Sequence, residues 1–176
     1  MLLCIDIGNT NIVLGLYQGE ELAAHWRIAT DHQRLADEYA ILLIELFSHR
    51  GYGIGDVDGI AMASVVPPLT GTFVSLSKDY FGCNPLVLDA GVRTGVHIRY
   101  DNPRDVGADR VANAAAAQRL YGGPVCVVDF GTATIFDAVS AEGDYLGGAI
   151  APGLSTAAES LFTRTAMLPR IELNRP

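Results

Sequence analysis

The sequence predicts an α/β fold built from a duplicated unit with mixed sheets, in a chain of 176 residues. Three observations carry this expectation. Short apolar runs of β-forming residues alternate with stretches whose apolar residues recur at helical spacing. Glycine, asparagine and proline punctuate them at close intervals. One pattern also occurs twice: CIDIGNTNIVLGLYQGE, from Cys4, aligns without gaps with VVDFGTATIFDAVSAEG, from Val127. Each copy has an apolar run, an aspartate (Asp6 or Asp129), a glycine two residues later and an apolar second run. Two such copies imply two related halves with a cleft between them.

The elements follow in order. Leu2 to Ile7 reads as a strand ending at Gly8-Asn9-Thr10, Asn11 to Tyr17 as a second, and Glu21 to Ile28 as a third. Together they form an antiparallel meander. Thr30 and Gln33 have capping-box spacing. The helix expected after them carries Leu35, Tyr39, Leu42, Leu43, Leu46 and Phe47 on one stripe to about His49. Val57 to Val66 is a strand closed by Pro67-Pro68, followed by a helix near Leu69 to Tyr80 and a strand at Leu86 to Leu88. Gly91 to Asp109 reads as loop, with a turn at Tyr100-Asp101-Asn102-Pro103, and Arg104 to Tyr121 as mostly helix. Strands at Val125 to Phe130, Ile135 to Ser140 and Tyr145 to Ile150 repeat the meander, and a helix follows Pro152-Gly153 to about Met167. The domains expected are 1–115 and 116–176.

The chain is acidic, with a formal net charge of -8, 49% hydrophobic residues and no basic cluster. That balance argues against nucleic acid or an anionic membrane surface as partner. Its single lysine, Lys78, follows no glycine-rich loop, which excludes a P-loop. A chain of this size buries roughly two-thirds of its unfolded surface and needs no disulfide staples. Cys4, Cys83 and Cys126 are odd in number and lack ligand spacing. Cys4 and Cys126 lie in apolar runs and are expected to be buried thiols, in a cytoplasmic protein. His25, His32, His49 and His97 are scattered without metal-ligand spacing. Asp6 interrupts the N-terminal apolar run too early for a signal peptide, and no run is long enough to span a bilayer.

The loop Asp6-Ile7-Gly8-Asn9-Thr10 suits phosphate. Glycine allows close approach, turn amides hold oxygens, and Asn9 and Thr10 add neutral donors. Asp6 would face phosphate through a divalent cation. Asp129-Phe130-Gly131-Thr132-Ala133-Thr134 repeats the arrangement, and a pair of such hairpins fits nucleotide-dependent phosphoryl transfer. The alternative for each loop is an ordinary turn. Gly107-Ala108-Asp109-Arg110 places an acid beside a base at a helix start. It reads either as a proton acceptor with a carboxylate clamp or as a helix cap with a surface ion pair. Gly147-Gly148-Ala149-Ile150-Ala151-Pro152-Gly153 suits either an anion at a helix start or close strand packing.

These motifs, with Ser64-Val65-Val66-Pro67, stand in an order and spacing that resembles the type III pantothenate kinases, members of the acetate and sugar kinase/Hsp70/actin superfamily. The resemblance spans the whole chain and implies an actin-like, ribonuclease H-like duplicated fold, with the second half incomplete because relatives continue past Leu168-Pro169-Arg170. It implies ATP-dependent phosphorylation of pantothenate to 4'-phosphopantothenate, the first step of coenzyme A biosynthesis. By position, Asp6, Ile7, Gly8, Asn9, Thr10, Asn11, Ile12, Val13 and Thr132 would bind ATP, with Asp6 placing magnesium indirectly. Tyr100, Gly107, Ala108, Asp109 and Arg110 would line the pantothenate pocket, with Asp109 as general base and Arg110 on the substrate carboxylate. Asp129 would help to hold a monovalent cation, potassium or ammonium, and the protein would be a homodimer. Where relatives carry a second threonine after Thr134, this chain has Ile135. A non-catalytic accessory protein and another superfamily kinase or ATPase are the alternatives; the first is disfavoured by retention of Asp6, Asp109, Arg110 and Asp129, the second by Tyr100 with the Gly107–Arg110 motif.

Overall fold

The structure is a computed structural model that describes residues 1–89, 92–167, 169–171 and 173. Gly91, expected to open the central loop, and Leu168 and Pro176 at the end lie outside the described residues. The chain divides into two compact units, Met1–Val92 with Gly107–Asp109, and Arg93–Val106 with Arg110–Pro176. Residue 115, the boundary expected from sequence, falls inside a helix, Ala108–Tyr121.

The first unit holds β1 (Leu2–Ile7), β2 (Asn11–Gln18), β3 (Glu21–Ala29), α1 (Ala36–His49), β4 (Gly59–Ser64), α2 (Pro67–Asp79) and β5 (Leu86–Val87). Its sheet has the order β3-β2-β1-β4-β5; β1 pairs antiparallel with β2 and parallel with β4. Alternation decides which face is buried. Leu3, Ile5 and Ile7 stand opposite Leu16, Leu14 and Ile12. All six join Tyr39, Leu43 and Phe47 of α1 and Leu69, Phe73 and Leu76 of α2 in one core. Trp26 stacks on Phe47 with ring centroids 4.6 Å apart.

The second unit contains β6 (His97–Ile98), most of α3 (Ala108–Tyr121), β7 (Val125–Phe130), β8 (Ala133–Val139), β9 (Asp144–Pro152) and α4 (Leu154–Arg164). Its sheet order is β6-β9-β8-β7, with β6 parallel to β9. A small core of Val106, Val111, Ala114, Val139 and Tyr145 packs α3 onto one face. On the opposite face Val128, Phe130 and Phe136 are exposed. This face is the counterpart of the one that α1 and α2 cover in the first unit, since Val128 and Phe130 occupy the places of Ile5 and Ile7 relative to the two aspartates.

Several expectations need correction. The helix after β3 starts at Ala36, with the Leu35 N–H bonded to Glu38 Oε2 at 2.8 Å, so Thr30 and Gln33 form no capping box. The Thr30 hydroxyl instead donates to the Gly8 carbonyl at 2.7 Å. The fourth strand is shorter than Val57 to Val66 because only Gly59–Ser64 follows β1. The helix expected from Arg104 is interrupted: Arg104 sits in a short 3-10 helix, Pro103–Asp105, where the Asn102 side chain accepts its N–H, and α3 begins at Ala108. The segment read as loop contains β6, too short to show a period. Cys126 is exposed, because β7 is an edge strand and this side chain shares the face of Val128 and Phe130; Cys4 is only half-buried. The two hairpins also differ in length. Asp6 stands opposite Val13 but Asp129 opposite Ile135, so the ungapped alignment slips by one residue after the loop.

Candidate active site

In the first unit the hairpin between β1 and β2 is fastened from three sides. The Gly8 N–H donates to the Asn11 carbonyl and the Thr30 N–H to the Thr10 carbonyl, each at 3.0 Å. The Thr30 hydroxyl holds the Gly8 carbonyl itself. With its carbonyls engaged this way, the turn is pre-organised rather than loose. Asp6 is exposed at the end of β1, paired in register with Val13 on one side and Ala63 on the other.

The end of β4 links this hairpin to the second motif. The Val65 N–H donates to the Ile7 carbonyl at 3.0 Å. A side chain at Gly107 would place its Cβ 3.4 Å from Val65 Cγ1 and 2.4 Å from Asp109 Oδ1. Gly107 therefore leaves the space into which the Asp109 carboxylate folds at the start of α3. The Ser64-Val65-Val66-Pro67 motif serves this junction: Ser64 Oγ accepts from the Thr70 hydroxyl at 2.8 Å, and Pro67 and Pro68 open α2. The structure thus brings Asp6, Gly8, Thr10, Gly107, Ala108 and Asp109 into one unit, the first three at the β1–β2 hairpin and the last three at the start of α3.

The second unit holds Tyr100, Arg110, Asp129 and Thr132. Arg110 is not in a surface ion pair. Its Nη2 and Nε donate to Asp137 Oδ1 at 2.6 and 3.0 Å, and Asp137 is 2% exposed. The Tyr145 hydroxyl donates to the same oxygen at 2.7 Å. Burial first, and then the bond to Asp137, push the Tyr145 hydroxyl well above the usual tyrosine range.

The glycine motif of β9 resolves toward close packing. A Cβ at Gly147 would lie 3.5 Å from the Tyr100 ring; one at Gly148 would lie 2.6 Å from Asp137 Oδ1 and 2.9 Å from Arg110 Nη2. One at Gly153 would meet the Gly131 carbonyl at 2.2 Å, while the Gly153 N–H and the Thr156 hydroxyl bind the Thr132 carbonyl at 3.0 and 2.9 Å. Each glycine seats an expected site residue. Sequence reading missed Thr30, Asp137 and Tyr145. Asp137 did carry a signal, as a lone carboxylate inside the apolar strand Ile135-Phe136-Asp137-Ala138-Val139. No group of three or more histidines, cysteines or acids gathers at ligand spacing among the described residues.

The architecture is shared with solved actin-like proteins. A Campylobacter jejuni protein assigned to the Baf family of transcriptional activators superposes with a TM-score of 0.56 at 21% identity, over 93% of this chain and 60% of its own. The ethanolamine utilization protein EutJ of Carboxydothermus hydrogenoformans gives 0.53 at 16% identity, over 92% and 56%. These likenesses define the class: a mixed α/β actin-like fold carrying a duplicated hairpin. Residues 2–176 match the family model of type III pantothenate kinase. Type III pantothenate kinases of Moorella thermoacetica and Geobacter sulfurreducens are each 54% identical over 176 residues, all of this chain and 69% of their own length. The chain belongs to the type III pantothenate kinase family, phosphotransferases that phosphorylate pantothenate with ATP in coenzyme A biosynthesis.

Proposed function

We propose that this chain binds ATP phosphates on the Asp6–Val13 hairpin and that Asp109 is the general base on pantothenate. The observation that carries the reading is the junction through Val65, which joins the Ile7 carbonyl to the Gly107 loop and so ties the phosphate hairpin to the Asp109 carboxylate. The substrate's primary hydroxyl loses its proton to Asp109 as its oxygen bonds to the γ-phosphorus. The bond from that phosphorus to the β,γ-bridging oxygen breaks, and ADP leaves. Arg110 grips the substrate carboxylate, Tyr100 and Ala108 flank it, and Thr132 contacts ATP from the second hairpin.

Magnesium fits the donor set. It keeps several waters and needs only one or two carboxylates beside the nucleotide phosphates, which matches a lone Asp6 next to an amide-rich turn. Bound there, it would neutralise phosphate charge. Asp129, at the end of β7 opposite Ile135, is the candidate for the monovalent cation, potassium or ammonium. A homodimer in the cytoplasm completes the reading, supported by the resemblance to the family. No described helix is long and apolar enough to cross a membrane.

A coupled ADP-release assay on the 176-residue chain, with pantothenate, magnesium and potassium each omitted in turn, tests the whole. Turnover is expected only when all are present; ATP hydrolysis indifferent to pantothenate would overturn the assignment. Asp109→Asn should lower kcat by roughly 10²- to 10⁴-fold with ATP binding retained. Arg110→Ala should raise KM for pantothenate about ten- to a hundredfold, the worth of a charged hydrogen-bonded contact.

A further inference from the structure

We infer that Asp137 and Tyr145 are positioning residues that set the Arg110 guanidinium for the substrate carboxylate. The inference rests on the reading of Arg110 as the carboxylate clamp and extends it to two residues with no expected contact to any substrate. Three donors converge on one oxygen, Asp137 Oδ1: Arg110 Nη2 at 2.6 Å, the Tyr145 hydroxyl at 2.7 Å and Arg110 Nε at 3.0 Å. The Arg110 Cζ also lies 5.7 Å from the Tyr145 ring centroid. Two contacts through one edge fix a planar guanidinium in rotation as well as position. A carboxylate ligand would then meet the end-on edge formed by Nη1 and Nη2.

The burial of this group calls for a reason beyond stability. Desolvating an ion pair offsets most of its attraction, and apolar residues of the same volume commonly hold a fold as well or better. Yet Tyr145 is 0% and Asp137 2% exposed. The fold itself does not demand an acid at this place. Asp137 stands opposite Val127 two residues before Asp129; the matching residue two before Asp6 is Cys4, whose partner is Gly15. The first hairpin thus folds with no side chain where the second keeps a buried carboxylate. The neighbouring strand has made way for it as well, since any Cβ at Gly148 would strike both Asp137 Oδ1 and Arg110 Nη2. Tyr100, the other expected substrate residue of this unit, rests on the adjacent Gly147. Consecutive glycines of β9 therefore seat both. Tyr145 and Arg110 share Asp137 Oδ1, so the tyrosine fixes the acceptor oxygen on which the guanidinium is set.

The test compares pantothenate with its primary-alcohol analogue, in which CH2OH replaces the carboxylate, by calorimetric titration of the 176-residue chain and its variants. Tyr145→Phe keeps the ring and removes one donor; it should weaken pantothenate about three- to tenfold and leave the alcohol within about twofold. In an Arg110→Ala background it should change neither, because the two act as one unit. Asp137→Asn should be the more severe on pantothenate with the same indifference to the alcohol, and Tyr145→Phe decides the matter if that variant does not fold. Equal weakening of both ligands by Tyr145→Phe, or no weakening while Arg110→Ala still discriminates between them, would overturn the positioning role alone. If Arg110→Ala fails to discriminate, or the chain takes up no pantothenate, the clamp itself is wrong and the positioning role falls with it.

Discussion

Gly148 and Gly71 show how differently one residue type can be constrained. An alanine at 148 would bring Cβ to 2.0 Å from the Phe136 carbonyl, a backbone atom that cannot swing aside. Gly148→Ala should therefore cost about 1–3 kcal/mol in chemical denaturation and disturb the Arg110–Asp137 pair above it. Gly71 lies within α2 with nothing within 4 Å of its built Cβ, so Gly71→Ala should stabilise by about 0.5–1 kcal/mol. Tyr145 ties stability to alkaline pH. An unfolded tyrosine ionises near pH 10, whereas burial and Asp137 keep this hydroxyl protonated in the fold. Its contribution is complete below about pH 10 and declines as pH rises beyond that, because the unfolded chain then gives up a proton the folded one retains. Denaturant midpoints between about pH 9 and 11 should fall less steeply in Tyr145→Phe. Among the thiols, Cys126 is exposed while burial pushes the Cys4 thiol up. Alkylation followed by mass mapping should label Cys126 well before Cys4.

The β1–β2 hairpin depends on a residue from beyond it. Thr30 closes β3 and returns both its N–H and its hydroxyl to the turn, at the Thr10 and Gly8 carbonyls. Its capping-box spacing with Gln33 pointed to a helix start, but pairing of β3 with β2 as far as Ala29 opposite Asn11 carries Thr30 to the turn, and the helix begins later. Asp31 then bonds the Gln33 N–H as a turn, and α1 waits until Ala36. Thr30→Val, nearly isosteric but unable to donate, should raise KM for ATP several-fold while leaving KM for pantothenate near its starting value. Equal change in both constants would show that the turn does more than hold phosphate.

Across the chain the two units use the same meander with unequal cover. In the first, helices close the Leu3-Ile5-Ile7 face; in the second, α3 covers the Val139-Tyr145 face and leaves Val128, Phe130 and Phe136 exposed. Loss of a phenylalanine should therefore differ in effect between the two units. Phe47→Ala removes a fully buried ring stacked on Trp26 and should cost about 3–5 kcal/mol. Phe136→Ser, on a ring already 41% exposed, should cost under about 1 kcal/mol and reduce self-association at high concentration. Unfolding curves and light scattering on the two variants read both effects.

Local chemistry written into the sequence determined the strands, the order of elements and the two aspartate hairpins, because alternation, glycine turns and apolar stripes depend only on neighbours along the chain. The repeat was legible for the same reason. The tertiary structure decided whatever depended on a partner far away in sequence. Register set the unequal lengths of the hairpins and turned Cys126 outward on an edge strand. Thr30 was claimed by Gly8 rather than by a helix. Arg110, an exposed-looking charge beside Asp109, found Asp137 twenty-seven residues on and was drawn into the interior with Tyr145. The glycines of β9 acquired their meaning only when these side chains arrived above them. A buried charge must be paired where the chain happens to meet itself, and that meeting is set by strand pairing and packing rather than by any residue's immediate neighbours.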